Sequence, residues 1–221
     1  TQEKGDALLD LITTTDNYDD VKGADLVIEA VFENVELKAK ITKMAEAVLD
    51  KDAVFGSNTS TLPITGLAEA SERPENFIGI HFFSPVERMG LVEIISGEKT
   101  SEATLAKAVD YVLAIRKTPI AVNDSRGFYT SRCFGTYTRE GMEMLAEGIK
   151  PAIIENVGRQ SGMPMGPLEV SDSVGLDTAL KVTGRSSLHG SSKTRSVWAA
   201  RPERASTTIT RRASRNASGQ T

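Results

Sequence analysis

The sequence predicts an α/β domain built on a parallel sheet, followed by an all-helical domain. Three observations carry that expectation. Up to Asp124, short apolar runs alternate with amphipathic stretches, the pattern of βα units around a sheet. Beyond Ser125 the runs give way to helical periodicity with no alternating strand. The chain's 221 residues, 39% hydrophobic and 25% charged, give ample core for two such domains.

The elements follow in order. ADLVIEAV (24–31) reads as a buried strand, and ENVELKAKITKMAEAVLD (33–50) as a helix with apolar residues at Val35, Ile41, Met44, Ala45 and Val48. AVFGSNTS (53–60) is the next strand with its C-terminal loop, and TLPITGLAEA a short helix opening after Ser60. NFIGIHFF (76–83) and LVEIIS (91–96) are two further strands, separated by a loop containing Pro85. SEATLAKAVDYVLAIRK (101–117) is a helix with Ser101 as N-cap, and TPIAVND (118–124) closes the sheet. This sets the expected divisions at 1–124 for the sheet domain and 125–183 for the helical domain, which is broken at GMPMGP (162–167).

The last stretch, 184–221, is different in character. It carries eight basic residues against the single acid Glu203, a charge of +7 in a chain whose net charge is −4, so the preceding 183 residues hold −11. Rich in Ser and Thr and poor in apolar periodicity, it reads as disordered. Two readings stand for it: an arm for nucleic acid or another anionic surface, or a solvated or spurious terminus, which is the expected one. No apolar run approaches the length of a membrane span. A single cysteine, Cys133, excludes an internal disulfide framework and fits a reducing compartment, and with no secretory pattern at the N-terminus the expected location is the cytoplasm.

Chemistry is expected at the C-terminal ends of the strands, where open α/β sheets bind ligands. SNTS (57–60) and His81 both lie at such ends, and Ser60 and the His81 imidazole could converge on one substrate oxygen. Glu93 follows in the next strand, placed to accept the other ring proton, as in the general-base units that pair histidine with a carboxylate. By spacing alone, His81 is either that base or a satisfied histidine at a strand end.

Four strings in order, SNTSTLPIT, IGIHFFSPVERMGLVEII, DSRGFYTSR and GMPMGPLEVSDSVGLD, resemble the 3-hydroxyacyl-CoA dehydrogenase family, and HFFSPV followed by LVEII is most similar to the dehydrogenase portion of bifunctional fatty-oxidation α-subunits. The resemblance covers roughly residues 1 to 183. It implies a Rossmann-type sheet whose first βαβ is missing, then a helical domain that completes the substrate cleft and dimerises. It implies NAD-dependent oxidation of (S)-3-hydroxyacyl-CoA, with His81 as the base taking the 3-hydroxyl proton, Glu93 supporting it and Ser60 hydrogen-bonding the substrate oxygen. Ala30, Val31, Glu33 and Lys38 match positions lining the nicotinamide and ribose side of the cofactor. Ser84 and Ser131 stand where better-known members have Asn, which keeps a hydrogen-bonding group but shortens its reach. Partners by the same resemblance are the acyl-CoA substrate and a second copy or a fatty-oxidation complex subunit, with no nucleic acid.

Two departures qualify what this polypeptide does. No G-x-G-x-x-G string occurs, so the loop that would bring the backbone against the cofactor pyrophosphate is absent, and impaired NAD binding is expected. The family's C-terminal GRPG and GFYDY are absent as well, yet Ser196–Thr210, SVWAARPERASTTIT, can be encoded so that the frame starting at the third base reads RLGRPAGAGFYDYH. The expectation is a frameshift near Thr183 that turned the last helices into the basic tail; resequencing that returned the same frame would count against it. Two rival functions remain at this level. One is a 3-hydroxybutyryl-CoA dehydrogenase working reductively with NADPH, and the other a non-catalytic module using its basic tail on nucleic acid.

Overall fold

In the computed structural model of the chain, the residues described are 2–174. The expected tail 184–221, and residues 175–183 of the expected helical domain, lie outside them. Among the described residues, two compact units separate between Ser125 and Arg126.

The first unit opens with α1 (Gln2–Leu9) and a 3-10 turn at Tyr18–Val21, neither of which the sequence reading assigned. A five-stranded sheet follows in the order β1 (Leu26–Glu29), β2 (Val54–Ser57), β3 (Phe77–Phe82), β4 (Leu91–Ser96) and β5 (Thr118–Asn123). Three helices connect it: α2 (Val35–Glu46), α3 (Ile64–Ala68) and α4 (Glu102–Ala114). Local chemistry sets their ends. Asn34 caps α2 by accepting from the Leu37 amide, and Ser101 caps α4 by accepting from Thr104, as expected. α3 begins at Ile64 rather than after Ser60, because the Thr59 hydroxyl accepts from the amides of Thr61 and Leu62 and holds that stretch as a turn.

The sheet is parallel at every pairing except β3–β4, which is antiparallel. The reason is the connection: only residues 83–90 lie between β3 and β4, and a parallel return needs a crossover of roughly a dozen residues or more. This exception positions the chemistry, because the register sets His81 directly opposite Glu93.

The two faces of the sheet are covered differently. Val54, Ile78, Ile80, Val92 and Ile94 form one apolar face that packs with Ala108 and Val112 of α4. On the other face, Gly79 lies against Ile64 of α3, so closely that a Cβ at residue 79 would sit 2.7 Å from the Ile64 Cδ1 and 2.9 Å from the Ile95 Cβ. That absence of a side chain lets α3 approach the face that also carries His81. Asp124, at the end of β5, fixes the start of α3 by accepting from the amides of Ile64 and Thr65 at 2.9 and 2.8 Å.

The second unit is helical over its described residues: α5 (Thr130–Ala146), α6 (Pro151–Gln160) and α7 (Pro167–Val174). Pro167 at the start of α7 seats its ring against Gly141 of α5, where a Cβ would come within 2.6 Å of it, and against Gly158 of α6. The Tyr137 hydroxyl donates to the Met165 carbonyl at 2.8 Å, and Glu155 accepts from the Leu168 amide at the start of α7. The Gly/Pro break expected at 162–167 is thus the α6–α7 connection.

Candidate functional site

The site residues of the first unit gather at the C-terminal ends of β1, β2 and β3, which run side by side in parallel. His81 lies one residue before the end of β3, and Glu93 faces it from β4. The His81 Nδ1 is 2.7 Å from the Glu93 Oε2, within the range of charge-assisted bonds. An ionised carboxylate only accepts, so this contact favours the tautomer with its proton on Nδ1. Glu93 is sealed from solvent, and the His81 side chain keeps 8% exposure, so of the pair the ring alone reaches the surface. The Phe83 ring, 4.5 Å away centre to centre, flanks the imidazole.

The loop after β2 carries the second component. Asn58 ties it to the histidine strand, its Oδ1 accepting from the Phe82 amide at 2.8 Å. Ser60 is half-buried, and its amide donates to Glu33 Oε1 at 2.8 Å, a tighter link than the 3.3 Å from its hydroxyl. The same Glu33 oxygen accepts from the Thr59 hydroxyl at 2.7 Å. Burial alone would raise the Glu33 pKa, but the Thr59 hydroxyl, the Lys38 charge and the Ser60 amide outweigh it and hold the carboxyl below its ordinary value.

The third component is the end of β1. Ala30 is exposed there, and Val31 is half-buried. Lys38, expected to line the cofactor, turns its ammonium inward: the side chain is 2% exposed, with Glu29 Oε1 at 2.7 Å, the Val31 carbonyl at 3.3 Å and Glu33 Oε2 at 3.4 Å. Glu29 also accepts from the Val31 amide and the Ser57 hydroxyl, both at 2.9 Å. Sequence reasoning passed over Glu29, Ser57, Asn58 and Thr59 as site residues. The available signal was Glu29 itself, a lone acid in an otherwise apolar strand, which must find a partner when buried. No buried side-chain oxygen or nitrogen among the described residues lacks a hydrogen-bond partner.

Ser84 is exposed on the loop after β3, in a cis peptide with Pro85. Lys117 pins this loop by donating to the carbonyls of Val86 and Met89 at 2.6 and 2.7 Å. Ser131 belongs to the second unit, in the first turn of α5. Among the described residues there is no cluster of metal-ligating side chains and no helix long and apolar enough to cross a membrane.

A histidine bonded to a buried carboxylate, beside a serine-bearing loop at the strand ends of an open α/β sheet, is an arrangement chemically capable of moving a proton to or from an oxygen atom. Residues 1–125 match the family model of the 3-hydroxyacyl-CoA dehydrogenase NAD binding domain, and residues 127–218 match that of its C-terminal domain. The chain belongs to the 3-hydroxyacyl-CoA dehydrogenase family.

It is 44% identical over 178 residues to the fatty acid oxidation complex subunit alpha of Shewanella loihica, an alignment covering 80% of this chain and 25% of that one. The chain therefore spans about a quarter of the length of the curated relatives it matches. Among solved structures, (S)-3-hydroxybutyryl-CoA dehydrogenase PaaH1 from Ralstonia eutropha superposes with a TM-score of 0.78 at 38% identity, over 82% of this chain and 65% of that one. FadB2 from M. tuberculosis gives 0.78 at 34% identity over the same shares.

Proposed function

We propose that this chain carries the proton-transfer half of an NAD-dependent oxidation of (S)-3-hydroxyacyl-CoA to 3-oxoacyl-CoA. The observation that carries the reading is the 2.7 Å His81–Glu93 pair, whose carboxylate fixes the base tautomer and supports the imidazolium that forms. His81 Nε2 takes the proton from the 3-hydroxyl, and the Ser60 hydroxyl bonds the same oxygen. Bound NAD would supply the acceptor for the hydride leaving C3. The chain's residues fit one part of that cofactor: Ala30 leaves an exposed, small-residue strand end for the nicotinamide side, with Val31 and Glu33 beside it, Lys38 behind them and Ser84 on the neighbouring loop. In the second unit, Ser131 is assigned to contact substrate.

The division into 1–124 and 125–183, a second copy or a complex subunit as partner, and a cytoplasmic site of action belong to the same reading. It is supported by the name of the Shewanella relative, a fatty acid oxidation complex subunit. The structural likeness to (S)-3-hydroxybutyryl-CoA dehydrogenase keeps the reductive, NADPH-linked direction as the second reading.

The test follows nucleotide absorbance with the (S)- and (R)-3-hydroxyacyl-CoA isomers, titrating NAD and NADP to millimolar concentration. The proposal expects NADH formation from the (S) isomer alone. Preference for NADP favours the reductive reading, and the absence of turnover by folded protein at every concentration overturns the assignment.

A further inference from the structure

We propose that Lys117 is a positioning residue, whose ammonium anchors the connection between β3 and β4 and so fixes where Ser84 stands just beyond His81. The proposal rests on the functional reading above, in which Ser84 borders the nicotinamide side. It adds to that reading a residue that acts through the backbone of a loop.

Local backbone structure aims the side chain. α4 closes in a Schellman turn: Arg116 takes a φ of 61° and its amide donates to the Leu113 carbonyl at 2.9 Å, while the Lys117 amide donates to the Val112 carbonyl at 3.1 Å. Val112 belongs to the apolar core beneath the sheet, so this helix end is tied to the rigid part of the unit. The next residue, Thr118, opens β5 and donates to the Gly90 carbonyl at 2.7 Å, just before β4 begins. Lys117 is therefore held on both sides, between a helix whose end is closed and a strand whose ladder has begun. Its side chain projects from a fixed point.

The loop it reaches needs such a tie. Residues 84–90 are all exposed, so burial of apolar surface does little to order them. Within the loop, the Pro85 carbonyl accepts from the amides of Arg88 and Met89 at 3.0 and 3.1 Å, which closes a turn. Lys117 then takes the carbonyls of Val86 and Met89 at 2.6 and 2.7 Å, the short range of bonds from a charged donor. Two of its three ammonium protons are committed to one turn, near both of its ends. Ser84 joins that turn to Phe83, whose ring flanks His81 at 4.5 Å. With β3 on one side and the anchored turn on the other, the place of Ser84 is set by both, as a positioned contact to a ligand requires.

The test uses the full chain and has two readouts, one of them free of cofactor and substrate. Amide exchange at Arg88 and Met89 is measured by NMR in wild type, in Lys117→Met, which keeps the length of the side chain and removes its donors, and in Lys117→Arg, which keeps donors. Lys117→Met should accelerate exchange at both amides roughly tenfold, the population factor for losing ordinary hydrogen bonds, with the β3 amides unchanged; Lys117→Arg should stay within a few fold of wild type. Where Lys117→Met does not fold, Lys117→Gln, whose neutral amide stops short of the ammonium position, carries the same prediction. In the second readout, NADH formation from an (S)-3-hydroxyacyl-CoA, Lys117→Met should raise the half-saturating NAD concentration roughly three- to tenfold. Turnover at saturation should stay within about threefold of wild type, because the His81–Glu93 pair is untouched. A general loss of folded protein would lower turnover and leave half-saturation where it was. Wild-type exchange at Arg88 and Met89 in the folded donor-free variant overturns the proposal, and so does faster exchange with unchanged NAD half-saturation. Faster exchange in a chain whose wild type shows no turnover supports the anchoring of the loop and counts against the functional reading alone.

Discussion

Replacing Glu93 by Gln keeps the shape of the buried partner and removes its charge. In the structure the carboxylate accepts from His81 Nδ1 at 2.7 Å with no exposure to water. A hydrogen bond to a charged group is worth about 1.5–3 kcal/mol, and at about 1.4 kcal/mol per decade it biases the ring roughly ten- to a hundredfold toward the Nδ1–H tautomer. A neutral acceptor is about half as strong, and the Gln side chain can also rotate to donate, which supports the opposite tautomer. The Nδ1–H form should therefore dominate in wild type and lose most of its excess in Glu93→Gln. Long-range nitrogen–proton NMR of the imidazoles reads this directly, and it is simple here because the chain has only two histidines, His81 and His189; a His189→Gln control assigns them. An unchanged tautomer ratio in Glu93→Gln would refute the reasoning, because the carboxylate would then not be what places the protons on the ring.

Three further outcomes follow from the packing and charges. Gly79→Ala puts a methyl 2.9 Å from the Ile95 Cβ, which is fixed to its strand, and should cost about 1–3 kcal/mol of stability in urea unfolding. Arg116 holds a φ of 61°, a conformation that costs a side chain about 1–2 kcal/mol, so Arg116→Gly should raise the urea midpoint, and a fall would contradict the strain argument. Glu33, whose pKa in the folded chain is depressed from 4.5, contributes stability that is present above its unfolded value and lost as pH falls through the folded one. Glu33→Gln should thus be less stable than wild type near neutrality, with the deficit shrinking below about pH 4.5; a deficit that grows with acidification would reverse the sign of the assigned interaction.

Much of this architecture was legible because local rules agreed. β4 was placed at 91–96, between Gly90 and Gly97, and that is where it lies. α4 begins after the Ser101 cap that its sequence announced. Strands read from apolar runs came out shorter, as with 24–31 against Leu26–Glu29, because an apolar run measures burial and a strand ends where its ladder partners end. α1 went unassigned because QEKGDALL lacks a clear apolar stripe; Leu8 and Leu9 are exposed. For the site, the sequence placed His81 and Glu93 in consecutive strands, and the short 83–90 connection was the feature that makes their pairing antiparallel and directly opposed. Glu29 and Ser57 were not legible as partners. Their contact joins residues 28 apart in sequence, and no local periodicity encodes a bond between the ends of two parallel strands. Lys38 shows the converse: the resemblance marked the position, and only its burial shows which way the ammonium faces.

The central claim is that His81 is the base that Glu93 orients for oxidation of a 3-hydroxyacyl-CoA. The most direct measurement is the rate of NADH formation from an (S)-3-hydroxyacyl-CoA at millimolar NAD, comparing wild type with His81→Gln after urea unfolding has shown that both are folded. Loss of a positioned general base predicts a fall of about a hundred- to ten-thousandfold in turnover, with little change in the half-saturating substrate concentration. A His81→Gln protein that turns over within a few fold of wild type would contradict the account and leave the pair as a buried contact that only holds β3 to β4.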